Sequence, residues 1–195
     1  MMRIITGRAR GTHLYTLEGE ATRPTSERAK EAVFSMHQFE LAGRDVLDLF
    51  AGSGQMALEA VSRGASSAVL VDASPKAVDI IKKNVQKTHF EQECTVLCAD
   101  YTDVLRSRRP GMPERFGLVV IDPPYAKRLV CPALDLLLAG DWLADGAFVV
   151  CESAEEDVFE GRKDLEALFE VRRRAKYGAA TVTVLCYHKE ESRGE

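Results

Sequence analysis

Asp45-Val-Leu-Asp-Leu-Phe-Ala-Gly-Ser-Gly54 runs from an apolar segment straight into a glycine turn. Asp45–Phe50 reads as a strand, and it opens a regular alternation. A helix over 55–63 ends near Gly64, Ser67–Val71 is a strand, and Pro75 opens a helix to about Lys87, with proline in its favoured early position. Thr95–Cys98 is a strand, 101–108 a helix, Leu118–Ile121 a strand, 129–139 a leucine-rich helix and Ala147–Cys151 a strand. A short helix at 162–168 follows, then two strands, Phe169–Arg173 and Thr181–Tyr187, joined through Tyr177-Gly178. Short, nearly all-apolar strands alternating with helices predict an α/β fold: a mostly parallel sheet covered on both faces, with a late hairpin adding an antiparallel strand. Ligands of such sheets bind beyond the carboxyl ends of the strands, where the strand order reverses.

The chain of 195 residues is 46% hydrophobic and 29% charged, an ordinary globular composition that fits one domain with a small appendage. No apolar run approaches a membrane span and the start, Met1-Met2-Arg3-Ile4-Ile5-Thr6, lacks a signal-peptide core, which predicts a cytoplasmic protein. Five cysteines (94, 98, 131, 151 and 186) read as reduced, mostly buried thiols. Cys94 and Cys98 have no second Cys/His pair to complete a zinc set, so no metal is expected. Nothing in the sequence sets an oligomeric state; a monomer is the default.

Net charge is −4, yet residues 1–30 hold six basic groups (Arg3, Arg8, Arg10, Arg23, Arg28, Lys30) against three acidic ones. Local basic stripes matter more for phosphate contact than the global sum. Residues 3–6 and 12–16 are β-like and flank Gly7-Arg8-Ala9-Arg10-Gly11, which predicts a small hairpin. Thr22-Arg23-Pro24-Thr25 then introduces a helix capped by Thr25. Further basic clusters at Arg106/Arg108/Arg109 and Arg172-Arg173-Arg174 with Lys176 read, taken singly, as solvated charge.

Gly52, Gly54 and Ala57 match the G-x-G-x-x-G/A fingerprint, and Asp72 lies 20 residues after Gly52 at the end of the next strand. Glycines there let a ligand approach the backbone. Asp72 can accept from ribose hydroxyls, and Asp100, ending the third strand before Tyr101, from an adenine amine. A nicotinamide dinucleotide would place its pyrophosphate on the helix N-terminus. S-adenosylmethionine has no phosphate, and its ammonium would be drawn to an acid such as Asp48. Asp48 inside the strand-end motif favours the second cofactor. Helix capping accounts for any one of Asp48, Asp72 and Asp100, but poorly for all three.

Gly117-Leu-Val-Val-Ile121 ends in Asp122-Pro123-Pro124-Tyr125. Each proline fixes φ and removes a donor, leaving an acceptor-rich turn beside a carboxylate and an aromatic ring. That suits a planar group with an exocyclic amine, such as a nucleobase. A strand-ending turn without chemistry is the plain alternative.

With these pieces placed, the sequence resembles class I S-adenosylmethionine-dependent methyltransferases that act on exocyclic amines, and most closely the RsmD family of 16S ribosomal RNA guanine-N2 methyltransferases. The resemblance spans nearly the whole chain. It rests on Arg3–Gly11, Thr22–Thr25 with Arg28 and Glu31-Ala-Val-Phe34, Leu47–Gly54 with Leu58-Glu-Ala and Ser62-Arg-Gly-Ala65, Asp122–Tyr125, and Tyr177-Gly178. It implies a Rossmann-like sheet of seven strands and an amino-terminal hairpin extension over 1–21 that contacts RNA through Arg3, Arg8, Arg10 and Arg23. The methyltransferase domain would occupy 22–189, with a frayed tail over 190–195. The implied cofactor set is Arg23, Thr25, Asp48, Phe50, Gly52, Ser53, Gly54, Asp72, Ala73, Asp100, Tyr101 and Asp122; the implied catalytic set is Asp122, Pro123, Pro124 and Tyr125. The implied partner is 16S ribosomal RNA or the assembling small subunit. Gln55-Met56 and Cys151-Glu152-Ser153 depart from the family's usual residues. Rival readings are a DNA adenine-N6 or cytosine-N4 methyltransferase, although no separate target-recognition domain is visible, a nicotinamide-dependent oxidoreductase, which leaves Asp122–Tyr125 without a role, and a non-catalytic RNA-binding module.

Overall fold

A computed structural model describes residues 2–17, 34, 41–124, 128–154, 156–178 and 180–189. Strands β1 (Asp45–Asp48), β2 (Ser67–Asp72), β3 (Cys94–Cys98), β4 (Phe116–Ile121), β5 (Leu143–Ser153), β6 (Phe169–Tyr177) and β7 (Ala180–Tyr187) form one sheet in the order β3-β2-β1-β4-β5-β7-β6. β3 through β5 run parallel, while β7 is antiparallel to both β5 and β6. Helices α1 (Gln55–Ser62), α2 (Pro75–Thr88), α3 (Tyr101–Arg106), α4 (Val130–Ala139) and α5 (Lys163–Glu166) alternate with the strands. This is the Rossmann-like class I methyltransferase arrangement that the resemblance implied.

Side-chain alternation along each strand divides the core in two. Val46, Leu70, Val120 and Val150 pack under Leu58 and Val61 of α1 and Ile81 and Val85 of α2. Leu47, Val69, Val119 and Val149 face the other way, against Val104 of α3 and Leu134 and Leu137 of α4. The chain therefore crosses from one face to the other between β3 and β4. The strand order reverses at β1/β4, the point where such sheets bind ligands.

Several boundaries differ from the sequence reading. β6 continues to Tyr177, beyond the expected Arg173, because β7 pairs with it as far as Tyr177↔Ala180. Its exposed residues, Glu170, Arg172 and Arg174 among them, are those of a charged edge strand, which lacks an apolar signal but resists edge-to-edge pairing. The amino-terminal hairpin is short: among the described residues its arms meet at one antiparallel bridge, Arg3↔His13, flanked by Ile4 N donating to Thr12 O and Leu14 N to Met2 O. Ile5 N and Thr6 N donate to the Glu59 carboxylate of α1, at 2.7 and 3.1 Å. Ile4 and Leu14 are buried, so the segment belongs to the core and is not a loose arm.

All five cysteines are free thiols; three are buried and Cys98 is exposed. The expected helix after Thr25 and the tail over 190–195 lie outside the described residues, apart from buried Phe34.

Candidate active site

The register staggers the acids along the strand ends. Asp48 pairs with Leu70, so Asp72 projects two residues further; Asp72 pairs with Cys98, so Asp100 projects two further again. Each step is roughly 7 Å at about 3.3 Å per residue. On the other side Asp48 pairs with Val120, which puts Asp122 at the level of Asp72. The four carboxylates thus rise from the sheet on either side of the reversal point, with Asp48 lowest and buried.

The turn after β1 is fixed by its neighbours. Gly52 (φ 54°) and Gly54 (φ 80°) are left-handed, the region that favours glycine. A Cβ on Gly54 would lie 3.0 Å from Leu70 Cδ2 and 3.4 Å from Ile81 Cγ2, so the turn presses directly on β2 and α2. Gly52 N donates to Asp72 Oδ2 at 2.9 Å, and Ser74 N to Asp72 Oδ1 at 2.8 Å. Asp72 therefore ties the first turn to the second, and each of its oxygens keeps a further acceptor site. Ala73 is exposed beside it. Gly54 begins α1 without a side-chain cap, which leaves the helix amides facing the strand ends.

Asp100 is in part a helix cap: Oδ1 accepts from Thr102 N at 2.9 Å and Thr102 Oγ1 at 2.7 Å. Tyr101 follows, and its ring lies 5.1 Å from that of Phe50. Burial, with the adjacent Asp100 charge, pushes the Tyr101 hydroxyl above its ordinary pKa. Phe50 and Tyr101 make an apolar wall beside the acids. Ser53 is buried; its hydroxyl donates to Met2 Sδ at 3.1 Å and its carbonyl accepts from Asn84 Nδ2 at 2.8 Å. Its side chain serves the docked amino-terminus. Gln55 turns the same way, donating to the Arg3 carbonyl at 3.5 Å.

Beyond β4 and β5 lies a small cleft of about 120 Å³ lined by Pro123, Pro124, Arg128, Leu129, Glu152 and Val158, among others. Arg128 Nη1 and Glu160 Oε2 are 3.6 Å apart at its edge. Asp157 accepts from the amides of Phe159 and Gly161, which shapes the wall. Tyr125, Arg23 and Thr25 lie outside the described residues.

Arg3, Arg8 and Arg10 are on the surface, but the tip that carries Arg8 and Arg10 is at the far end of the sheet. Arg8 N donates to Ser62 O, at the carboxyl end of α1, and its guanidinium pairs with Glu93, just before β3, at 2.7 Å. It also lies 5.0 Å from the Phe90 ring centroid. Arg3 and Arg10 are exposed. Of the other basic clusters, Arg108 is structural: it lies 3.9 Å over the Trp142 ring and donates to Pro113 O. Arg172 pairs with Glu170, and Lys176 with Glu156.

Two residues that no reading of the sequence gave a role organise this end. Glu59, nearly inaccessible, holds the Ile5 and Thr6 amides and the Arg63 guanidinium, the last at 2.7 Å. Asn84 accepts from Tyr15 N at 2.8 Å and donates to Tyr15 O at 2.9 Å. The available signal was a polar residue placed on an otherwise apolar helix face. Among the described residues no three His, Cys, Asp or Glu side chains gather as a metal site, and no helix is long and apolar enough to cross a membrane.

A reversal point flanked by carboxylates, with an uncapped helix after a glycine turn on a seven-stranded sheet of this order, defines a class I methyltransferase fold. A family model described as "Conserved hypothetical protein 95" matches residues 2–186. The chain is 32% identical to "Ribosomal RNA small subunit methyltransferase D" of Haemophilus influenzae, over 80% of this chain and 80% of that one. It is 32% identical to the protein of the same name in Escherichia coli K12, over 80% of this chain and 76% of that one. The solved structure of yhhF from Escherichia coli superposes with a TM-score of 0.81 at 28% identity, covering 97% of this chain and 99% of that one. The chain belongs to the RsmD family of methyltransferases.

Proposed function

We propose that this protein transfers a methyl group from S-adenosylmethionine to the exocyclic N2 amine of a guanine in the 16S RNA of the small ribosomal subunit, in the cytoplasm. The observation that carries the reading is the position of Asp122-Pro123-Pro124. The turn leaves β4 beside the acids of the reversal point and opens onto the cleft beyond β5. The relatives' names support ribosomal RNA as the substrate.

The residues present fit the cofactor. It carries a sulfonium and an ammonium, and the donor set here is carboxylates: Asp48 low at the end of β1, Asp72 beside the Gly52 turn, Asp100 beside Phe50 and Tyr101. Asp48 suits the ammonium, Asp72 the ribose hydroxyls, and Asp100 with the Phe50/Tyr101 wall the adenine. When bound, the cofactor supplies an electrophilic methyl group.

The guanine amine is a poor nucleophile because its lone pair is delocalised into the ring. Asp122 and the Pro123 carbonyl accept its two N–H hydrogens, favouring a more tetrahedral nitrogen and stabilising the positive charge that develops there; as the N–C bond forms and the S–C bond breaks, the Asp122 carboxylate is placed to take the proton the nitrogen sheds. The prolines hold both acceptors rigidly, which supplies alignment. Tyr125 stacks on the base, flipped out of its stack to enter the cleft. Asp122→Ala should abolish methyl transfer to small-subunit RNA while calorimetric binding of S-adenosylmethionine persists; wild-type turnover in that variant would sink the reading.

A further inference from the structure

We infer that Glu152, at the tip of β5, selects guanine by accepting the base's N1–H while Asp122 holds the neighbouring amine. The inference rests on the proposed reading of this cleft as an amine-methylation site.

Ile121 and Cys151 are register partners in adjacent parallel strands, so Asp122, just past β4, stands beside Glu152, which is next to last in β5 and paired there with Val182. Strand spacing sets their backbones about 4.8 Å apart. They also share one phase of the strand alternation and so head for the same face. Glu152 lines the cleft with Pro123 and Pro124. Of the cleft's carboxylates Glu152, Asp157 and Glu160, Glu152 is the one whose backbone neighbours Asp122.

The ring atom beside the reacting amine tells guanine from the other two amine-bearing bases. In guanine the 2-amine is next to N1–H, a donor. In adenine the 6-amine is next to N1, and in cytosine the 4-amine is next to N3; both are bare acceptors. A carboxylate at that position accepts from guanine and repels the lone pair of the other two. The guanine edge gains a charge-assisted hydrogen bond to the carboxylate, and the other two bases meet it with a lone pair, which sets the preference. The Asp-Pro-Pro turn by itself reads only an exocyclic amine; Glu152 adds the identity of the base.

The test uses Glu152→Gln, which keeps the shape but gives the position a donor able to reach adenine N1 or cytosine N3. Small subunits, and RNA extracted from them, would be prepared from a strain lacking the gene. They would be incubated with methyl-labelled S-adenosylmethionine, and the RNA digested to nucleosides for mass spectrometry. Wild type should place its label in N2-methylguanosine. Glu152→Gln should lower that product about tenfold or more and raise the ratio of N6-methyladenosine or N4-methylcytidine to it. Glu152→Asp, with a shortened carboxylate, should lose rate without losing the guanine preference. Calorimetric cofactor affinity should be unchanged in both. An unchanged rate in Glu152→Gln, or a fall with no change in the base ratio, would overturn the role of Glu152. Wild-type label in adenosine or cytidine, or none at all, would instead overturn the guanine-N2 function itself.

Discussion

Glu59 of α1 accepts the backbone amide of Ile5 at 2.7 Å, and through that bond the amino-terminal segment is fastened to the core under α1. The same carboxylate pairs with Arg63, whose guanidinium lies 4.9 Å over the Phe34 ring. Side-chain exposure of the Arg63–Glu59 pair is 5% and 2%. Glu59→Ala leaves a buried guanidinium and two amides without their acceptor. It should destabilise the protein by about 3–5 kcal/mol, read from the urea midpoint, and speed hydrogen exchange at Ile5 and Thr6 above that at the β1 amides.

Gly7 is the hinge of the same docking. Its φ is 87°, and a Cβ there would lie 1.8 Å from Ser62 O. Ser62 also takes the Ala9 amide and donates to Thr6 O. Gly7→Ala should therefore lift the arginine tip off α1. Proteolysis near Arg8 and Arg10 should accelerate, with S-adenosylmethionine affinity kept within about twofold, since 1.4 kcal/mol corresponds to tenfold and the tip is remote from the acids.

Because Ile4 and Leu14 are buried, deleting the hairpin would uncover core and confound any RNA measurement. Point variants are cleaner. Arg3→Ala and Arg10→Ala should each weaken RNA binding and flatten the salt dependence by roughly 0.7–0.9 in log–log slope for each phosphate no longer neutralised. Unchanged slopes would remove these arginines from the RNA surface. Arg8→Ala also removes the Glu93 pair and the Phe90 stack, and should cost stability as well, about 0.5–1 kcal/mol.

Asp72 carries two backbone amides besides its proposed ribose contact. Asp72→Asn turns an amide group towards one of those N–H donors. Cofactor affinity by calorimetry should fall about tenfold or more, while Asp122→Ala should leave it intact.

Burial raises three thiols: Cys131 to about 11, Cys94 to about 12, where Glu93 and Glu91 add to the effect, and Cys151 further still. The folded state holds these protons more tightly than the unfolded chain, whose thiols titrate near 9.0. Their contribution to stability is thus complete below pH 9 and is lost as pH rises towards the folded values. Thermal midpoints should fall between pH 9 and 11, and a Cys131→Ala/Cys151→Ala double variant should start lower but decline less steeply.

The sequence determined the alternation, the glycine turn, the acids closing β1 to β3 and the turn after β4, because each is a local pattern: apolar period, turn chemistry, position at a strand end. Asp48, Asp72, Asp100 and Asp122 were legible for that reason, and so was the antiparallel β7. Tertiary structure alone decided what depends on register and docking. It placed Glu152 beside Asp122 through the pairing of Ile121 with Cys151, 30 residues on. It fastened the hairpin to α1, because Glu59, some 54 residues away, takes the Ile5 amide that faces away from the hairpin's other arm. And it set the arginine tip at the opposite end of the sheet from the acids, since Gly7 fits against the Ser62 carbonyl where no side chain can.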